Sequence, residues 1–342
     1  MTSLYVVEQG AKLTCTGHRL VVEKDGEALQ VVPMIKVSEV IVFGNVSLTT
    51  PAMKRLMQEG KDVVFLTTTG QYCGRLVGPE TRHGQLRLAQ YQRLQDGAFK
   101  LCMAQQCVLG KVHNMRAHLE RRDRGGASRA VAIALVELEA LEARALRTQN
   151  LHSLRGVEGT ASRRYFGTLR TLLPEEWGFG GRQRRPPPDP VNALLSFGYT
   201  LLHQILQGAV QMVGLDPYLG FLHEPSYGRP SLALDLMEEF RPVAVDPLVF
   251  KSVLEGSLTR ADFEASDDPE RPIRLTEAGC RTFLRLFEEH LQKPFLHPRD
   301  GERTTLRRCF EGQVRELARV LEGRQEGYRP FLVPCGVREG DA

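Results

Sequence analysis

Long apolar runs are missing from this chain. Nothing in it approaches the roughly 18–20 consecutive apolar residues that a membrane helix needs, and the opening MTSLYVVEQGAKL has neither the basic nor the apolar stretch of a signal peptide. Paired cysteines are missing as well. Cys15, Cys73, Cys102, Cys107, Cys280, Cys309 and Cys335 are scattered, odd in number and form no CxxC. That pattern argues against a zinc ribbon or a secreted disulfide framework and for free thiols in a reducing compartment. The expectation is a cytoplasmic protein without membrane association. Common nucleotide and hydrolase motifs are also absent. Gly110-Lys111 is followed by Val112, so there is no P-loop; no GxGxxG joins a strand to a helix, and neither HExxH nor GxSxG occurs. Charge of one sign is not in excess, with 45 Lys+Arg against 41 Asp+Glu for a net +4. Nucleic-acid binding would therefore require basic residues clustered in space.

The 342 residues suggest about two domains, and 42% hydrophobic with 25% charged residues is ordinary for a soluble globular protein. Up to about residue 82 the chain is a series of short Val-, Ile-, Leu- and Thr-rich runs (TSLYVVE, AKLTCTG, HRLVVEKDG, LQVVPMIKV, EVIVFGN, DVVFLTTTG, QYCGRLVG) bounded by Gly, Pro or Asn. One helix interrupts them at TTPAMKRLMQEG, with Thr50 as cap and Pro51 in the first turn. After GPETRHG apolar residues recur every three or four positions. Helices are expected over about 84–122 (with Gly97 and Gly110 as weak points), 129–148, 190–213, 229–241, 275–293 and 304–323, with a loose tail PCGVREGDA. The fold class is α+β: an N-terminal small β-sandwich domain, 1–82, followed by a larger all-helical domain, 84–335.

Two segments could carry chemistry. On a helix at about 100° per residue, Leu154, Val157, Ala161, Tyr165, Leu169 and Leu172 form one apolar stripe with Glu158 in its middle, while Arg163 and Arg164 point elsewhere. A carboxylate on a buried stripe is costly unless a cation or hydrogen bonds compensate it. Gly156 and Gly159 beside it suggest a close approach to the backbone. In the second segment, GFLHEPSYGRPSLALDLMEEFRP (220–242), Pro230 suits the first position of a helix whose core face is Ala233, Leu236, Met237 and Phe240. Asp235, Glu238 and Glu239 share the opposite face, where like charges repel by about a few tenths of a kcal/mol. Taken alone, this is an ordinary solvated acidic face and His223 an ordinary loop histidine. Taken together, Glu158, Glu238 and His223 offer two carboxylates and an imidazole, donors that suit Mg²⁺ or Mn²⁺. Such an ion activates a bound water or hydroxyl and neutralises phosphate charge. Arg163, Arg164, Arg182, Arg184, Arg185, Arg229 and Arg241 could hold a polyanion.

VEGTASRRYF (157–166), DPVNALLSFGYTLL (189–202) and GFLHEPSYGRPSLALDLMEEFRP (220–242) resemble the active-site signature of the CRISPR-associated integrase family, CRISPR-associated protein one, and the resemblance extends over essentially the whole chain. It implies a metal-dependent DNA endonuclease and integrase of spacer acquisition, with an N-terminal β-sandwich and a C-terminal helical lobe. Glu158, His223 and Glu238 match the family's metal ligands, which are its catalytic residues. Asp235 matches a supporting acid one turn before the third ligand. Arg241 falls where a basic residue commonly follows that ligand, and with Arg163, Arg164 and Arg229 it is expected to contact DNA. The implied reaction is attack of a 3′-hydroxyl on a phosphodiester of the repeat, or hydrolysis with water as nucleophile. The implied partners are spacer and branched repeat DNA, a second copy of the chain through the β-domain, and CRISPR-associated protein two. Two alternatives from other classes are a non-catalytic DNA-binding scaffold and a helical phosphohydrolase. The second usually carries a His-Asp dipeptide, which does not occur here.

Overall fold

The structure, a computed structural model, describes residues 2–68, 70–78, 83–123, 125–270 and 272–335. The tail from 336 and most of the expected boundary at 79–84 lie outside the described residues. Among the described residues, eight strands fill the N-terminal part: β1 (Thr2–Val6), β2 (Lys12–Thr16), β3 (Arg19–Lys24), β4 (Glu27–Pro33), β5 (Val37–Phe43), β6 (Ser47–Leu48), β7 (Val63–Leu66) and β8 (Tyr72–Leu76), with α1 (Thr50–Gln58) among them. They make two four-stranded sheets, ordered β1-β5-β7-β8 and β4-β3-β2-β6. The first sheet is mixed: β5 lies parallel to both β1 and β7, and it is buried along nearly its whole length, as a central parallel strand must be. The β3–β4 hairpin closes through Asp25-Gly26, both at positive φ, the backbone that a two-residue turn matching the strand twist demands. Leu4, Val6, Leu13, Leu20, Val22, Val40, Val42 and Val63 from the two sheets share one apolar core.

The remaining helices are α2 (Gly84–Gln95), α3 (Gly97–Arg122), α4 (Arg129–Ala145), α5 (Leu151–Arg170), α6 (Pro190–Val213), α7 (Ser231–Phe240), α8 (Asp246–Leu254), α9 (Glu277–Gln292) and α10 (Leu306–Leu321). The expected all-helical part also contains two small two-stranded sheets, β9 (Phe263–Ala265) with β10 (Ile273–Leu275) and β11 (Phe295–Leu296) with β12 (Arg303–Thr304). The chain divides into two compact units, residues 1–81 with Leu275–Glu289, and residues 82–274 with 290–342. Most of α9 thus groups with the strands: Tyr5 donates to Glu288 Oε1 at 2.9 Å, and Arg281 pairs with Glu8 at 2.7 Å.

In the larger unit α3 is the central helix, packed against α4, α5 and α7. The long run expected from 84 is cut where the Asp96 side chain accepts from the N–H groups of Ala98 and Phe99 at 3.0 and 3.1 Å, an N-cap that starts α3 afresh. Gly110 does not weaken α3. A Cβ there would stand 2.8 Å from Pro330 Cβ and 2.9 Å from Glu239 Cβ, so the missing side chain is what lets α7 and the 330 segment reach the helix. Gly156 and Gly159, expected to admit a close approach, face open space. At the end of α7, Pro242 has no amide hydrogen to continue the ladder, and Arg241–Val245 form a π-helical turn into α8.

These two mid-helix glycines should respond oppositely to alanine. Gly110→Ala is expected to lower stability by about 1–2 kcal/mol, overpacking outweighing the gain in helix propensity. Gly156→Ala is expected to raise it by about 0.5–1 kcal/mol. Urea unfolding checks both, and equal signs would contradict the close contact at Gly110.

Candidate active site

α7 does not present a solvated acidic face. Asp235, Glu238 and Glu239 are each no more than 2% exposed, and the helix is buried on nearly every side. The i, i+3, i+4 crowding is resolved because each acid points at a different partner. Asp235 gathers the loop before the helix: its carboxylate accepts from the N–H groups of Phe221, Leu222 (2.9 Å) and His223 (2.9 Å) and faces His223 Nδ1 at 2.7 Å. Gly220 permits this wrap, since a Cβ there would lie 2.7 Å from Asp235 Oδ2 and from the backbone of Ser231. In a neutral imidazole such a partner places the proton on Nδ1 and leaves Nε2 its lone pair, the arrangement of carboxylate-oriented histidines in metal sites. Pro230 is the residue before the helix rather than its first residue.

Glu238 meets cations on both oxygens. Lys111 Nζ lies 2.7 Å from Oε2 and Arg241 Nη2 lies 3.2 Å from Oε1. Burial alone would push the Glu238 carboxyl up, but the Arg241 and Lys111 cations hold it well below the usual carboxylate range. The same Lys111 ammonium donates to Glu158 Oε1, which also accepts from Ser162 Oγ at 3.0 Å. Glu158 lies on α5 at the margin of the expected stripe rather than within it. Leu154, Val157, Ala161, Tyr165 and Leu169 are buried and Leu172 is half-buried, whereas the Glu158 side chain is 25% exposed because its partners, Lys111 and Ser162, lie to one side of the stripe. The two acids therefore converge, from α5 and α7, on one cation carried by α3. Among the described residues no three His, Cys, Asp or Glu side chains are gathered closely enough to hold a metal ion as they stand; the ammonium lies between the two carboxylates instead. The donor set is nevertheless that of a hard divalent ion: two carboxylates sharing a positive centre, with the His223 imidazole on the loop tied to Asp235 of the same helix as Glu238.

Glu239 faces away, accepting from Tyr328 Oη (2.6 Å) and the Phe331 N–H (2.7 Å), and burial pushes its carboxyl up to about 7. Asn114 on α3 donates to the Glu239 and Phe331 carbonyls at 2.7 and 2.8 Å, strapping the 328–333 segment across α3 and α7. Beyond the π turn, Asp246 accepts from Tyr199 (2.5 Å) and Tyr165 (3.0 Å), and burial raises it to about 6. Arg241 is 4.7 Å from the Tyr199 ring centre and largely buried, and Arg182 is 5.3 Å from that ring. Arg164 pairs with Glu137, while Arg163 and Arg229 are exposed. The four arginines are not drawn together with the acids as a group; Arg241 alone reaches them.

Lys111, Asn114 and Gly220 belong to the site but lie in none of its acidic or histidine-bearing motif positions. For Lys111 a signal existed: it interrupts the buried positions Ala104, Cys107, Val108, Val112 and Met115, the same kind of buried-charge interruption that marked Glu158.

The family described as CRISPR associated protein Cas1 matches residues 4–289. "CRISPR-associated endonuclease Cas1 3" of Thermus thermophilus is 40% identical over 332 residues, 96% of this chain and 97% of that protein. "CRISPR-associated endonuclease Cas1 2" of Rhodospirillum rubrum is 37% identical, covering 97% and 98%. Among solved structures, a casposase bound to an integration product superposes with a TM-score of 0.86 at 25% identity, covering 100% of this chain and 96% of that one. A Cas1 protein from Thermotoga maritima gives 0.81 at 25% identity, covering 98% and 100%. With the family matched over most of its length and relatives aligned nearly end to end, the chain belongs to the CRISPR associated protein Cas1 family.

Proposed function

We propose that this protein is a divalent-metal-dependent DNA endonuclease and integrase that inserts spacer DNA into a CRISPR repeat. The observation that carries the reading is the convergence of Glu158 and Glu238 on a single cation, with a histidine oriented by Asp235 on the loop that leads into the Glu238 helix. The relatives named as endonucleases and the casposase bound to its integration product support it. Glu158, His223 and Glu238 would hold Mg²⁺ or Mn²⁺, which supplies phosphate charge neutralisation and a more acidic attacking hydroxyl or water.

The chain's own contribution is placement. Asp235 fixes the Nδ1–H tautomer of His223 and pins the 221–223 backbone, so Nε2 is held ready as a donor atom. Arg241, propped on Tyr199, keeps Glu238 ionised. Arg163 and Arg229, which are exposed, would meet backbone phosphates. Alignment of a 3′-hydroxyl in line with the target phosphorus would let its oxygen form the new P–O bond as the repeat's own P–O3′ bond breaks, the hydroxyl losing its proton to solvent and the released 3′-oxygen taking one up; in-line placement is worth several kcal/mol. The proposed partners are branched and spacer DNA, a second copy of the chain through the β unit, and a Cas2 protein, in keeping with a solved neighbour titled as a Cas6-RT-Cas1–Cas2 complex.

Strand transfer and cleavage on branched repeat-like DNA, with Mn²⁺ or with EDTA, test this. Wild type should give metal-dependent product, and Glu158→Ala and His223→Ala should give none while still binding DNA. Product surviving either substitution would remove the three-residue site, and DNA binding by wild type without chemistry would favour the scaffold. Asp235→Asn should lower metal-dependent activity about 10–100-fold, measured as initial rate against Mn²⁺ concentration. A rate equal to wild type at every concentration would show that Asp235 does not position His223.

A further inference from the structure

We propose that Lys111 is a resident counter-ion that competes with the divalent ion for Glu158 and Glu238, so that metal loading requires its ammonium to leave both carboxylates. The inference rests on the metal-binding reading above. The Lys111 side chain is 3% exposed and contacts one oxygen of each acid, joining α5 to α7 from α3. These carboxylate oxygens are the donors a hard cation takes, and two cations cannot share them without mutual repulsion.

Of the groups around the pair, Lys111 is the one able to yield. Arg241 is held against the Tyr199 ring and Glu238 Oε1, and His223 is tied to Asp235. Lysine carries a compact charge on a flexible four-carbon stem. A buried ammonium deprived of its acids is an uncompensated charge, so the affinity for metal reports the difference between the two occupants rather than the intrinsic strength of the ligands. Removing the ammonium leaves Glu158 with Ser162 and Glu238 with Arg241, one positive charge fewer between two neighbouring carboxylates, and an added cation restores it.

The test is calorimetric titration of the full chain with Mn²⁺ alone. Lys111→Met is expected to bind Mn²⁺ about tenfold or more tightly than wild type, the equivalent of one lost charge-assisted hydrogen bond. It should also melt lower than wild type in EDTA and gain more from Mn²⁺. Equal or weaker binding would mean that Lys111 helps to build the metal site rather than competing for it, and would overturn the proposal. If Lys111→Met does not fold, Lys111→Arg decides: a guanidinium grips carboxylates in a fork, so Mn²⁺ binding should weaken, and unchanged or tighter binding overturns the proposal. Failure of wild type to bind Mn²⁺ is a separate result, which removes the metal reading itself and the competition with it.

Discussion

Taking a carboxylate out of water costs several kcal/mol unless a cation or several donors replace its hydration, and α7 carries three of them into the interior within five residues. The geometry of the larger unit follows from how that debt is met. Asp235 is satisfied by the loop that precedes the helix, Glu238 by cations on α3 and in the π turn, and Glu239 by donors near residue 330. Because the three solutions come from three directions, α7 is fixed in rotation as well as position. Glu238 is then aimed at the same point as Glu158 on another helix.

α3 is the reason these elements can meet. It is bare at Gly110, where α7 and the 330 segment press close, and charged one residue later at Lys111, where the acids converge. One turn on, Asn114 satisfies a carbonyl of each pressing element. Packing space, counter-charge and hydrogen bonding thus occupy successive positions of one helix.

Much of this was legible in the sequence because it is periodic. The short Val-, Ile-, Leu- and Thr-rich runs matched seven of the eight strands among the described N-terminal residues, and the Thr-Pro start and Gly stop matched α1; the two-residue β6 has too little sequence to show itself. The stripe around Glu158 was visible because a charge interrupts an apolar phase, and His223, Asp235 and Glu238 were visible through the family resemblance. What periodicity could not report is pairing across distant segments. It gave α7 a wet face because three acids in one strip resemble a surface, when the deciding facts are Lys111, Tyr328 and Phe331, 90 or more residues away in places. Similarly, Gly110, Gly156 and Gly159 look alike as letters, and only the neighbour across the helix separates a contact from open space.

The strap from 328 to 333 bears on the order in which the molecule can be completed. Gln313, Tyr328 and the Phe331 amide, which answer Glu239, and the Phe331 carbonyl, which answers Asn114, all leave the ribosome after α3, α5 and α7. During synthesis the early helices therefore emerge with a carboxylate and an amide whose partners have not yet been made. The helical unit reaches its final packing only when its late segment is laid back across its first long helix, so the polypeptide has to be translated almost to residue 333 before the acids of α7 are all satisfied.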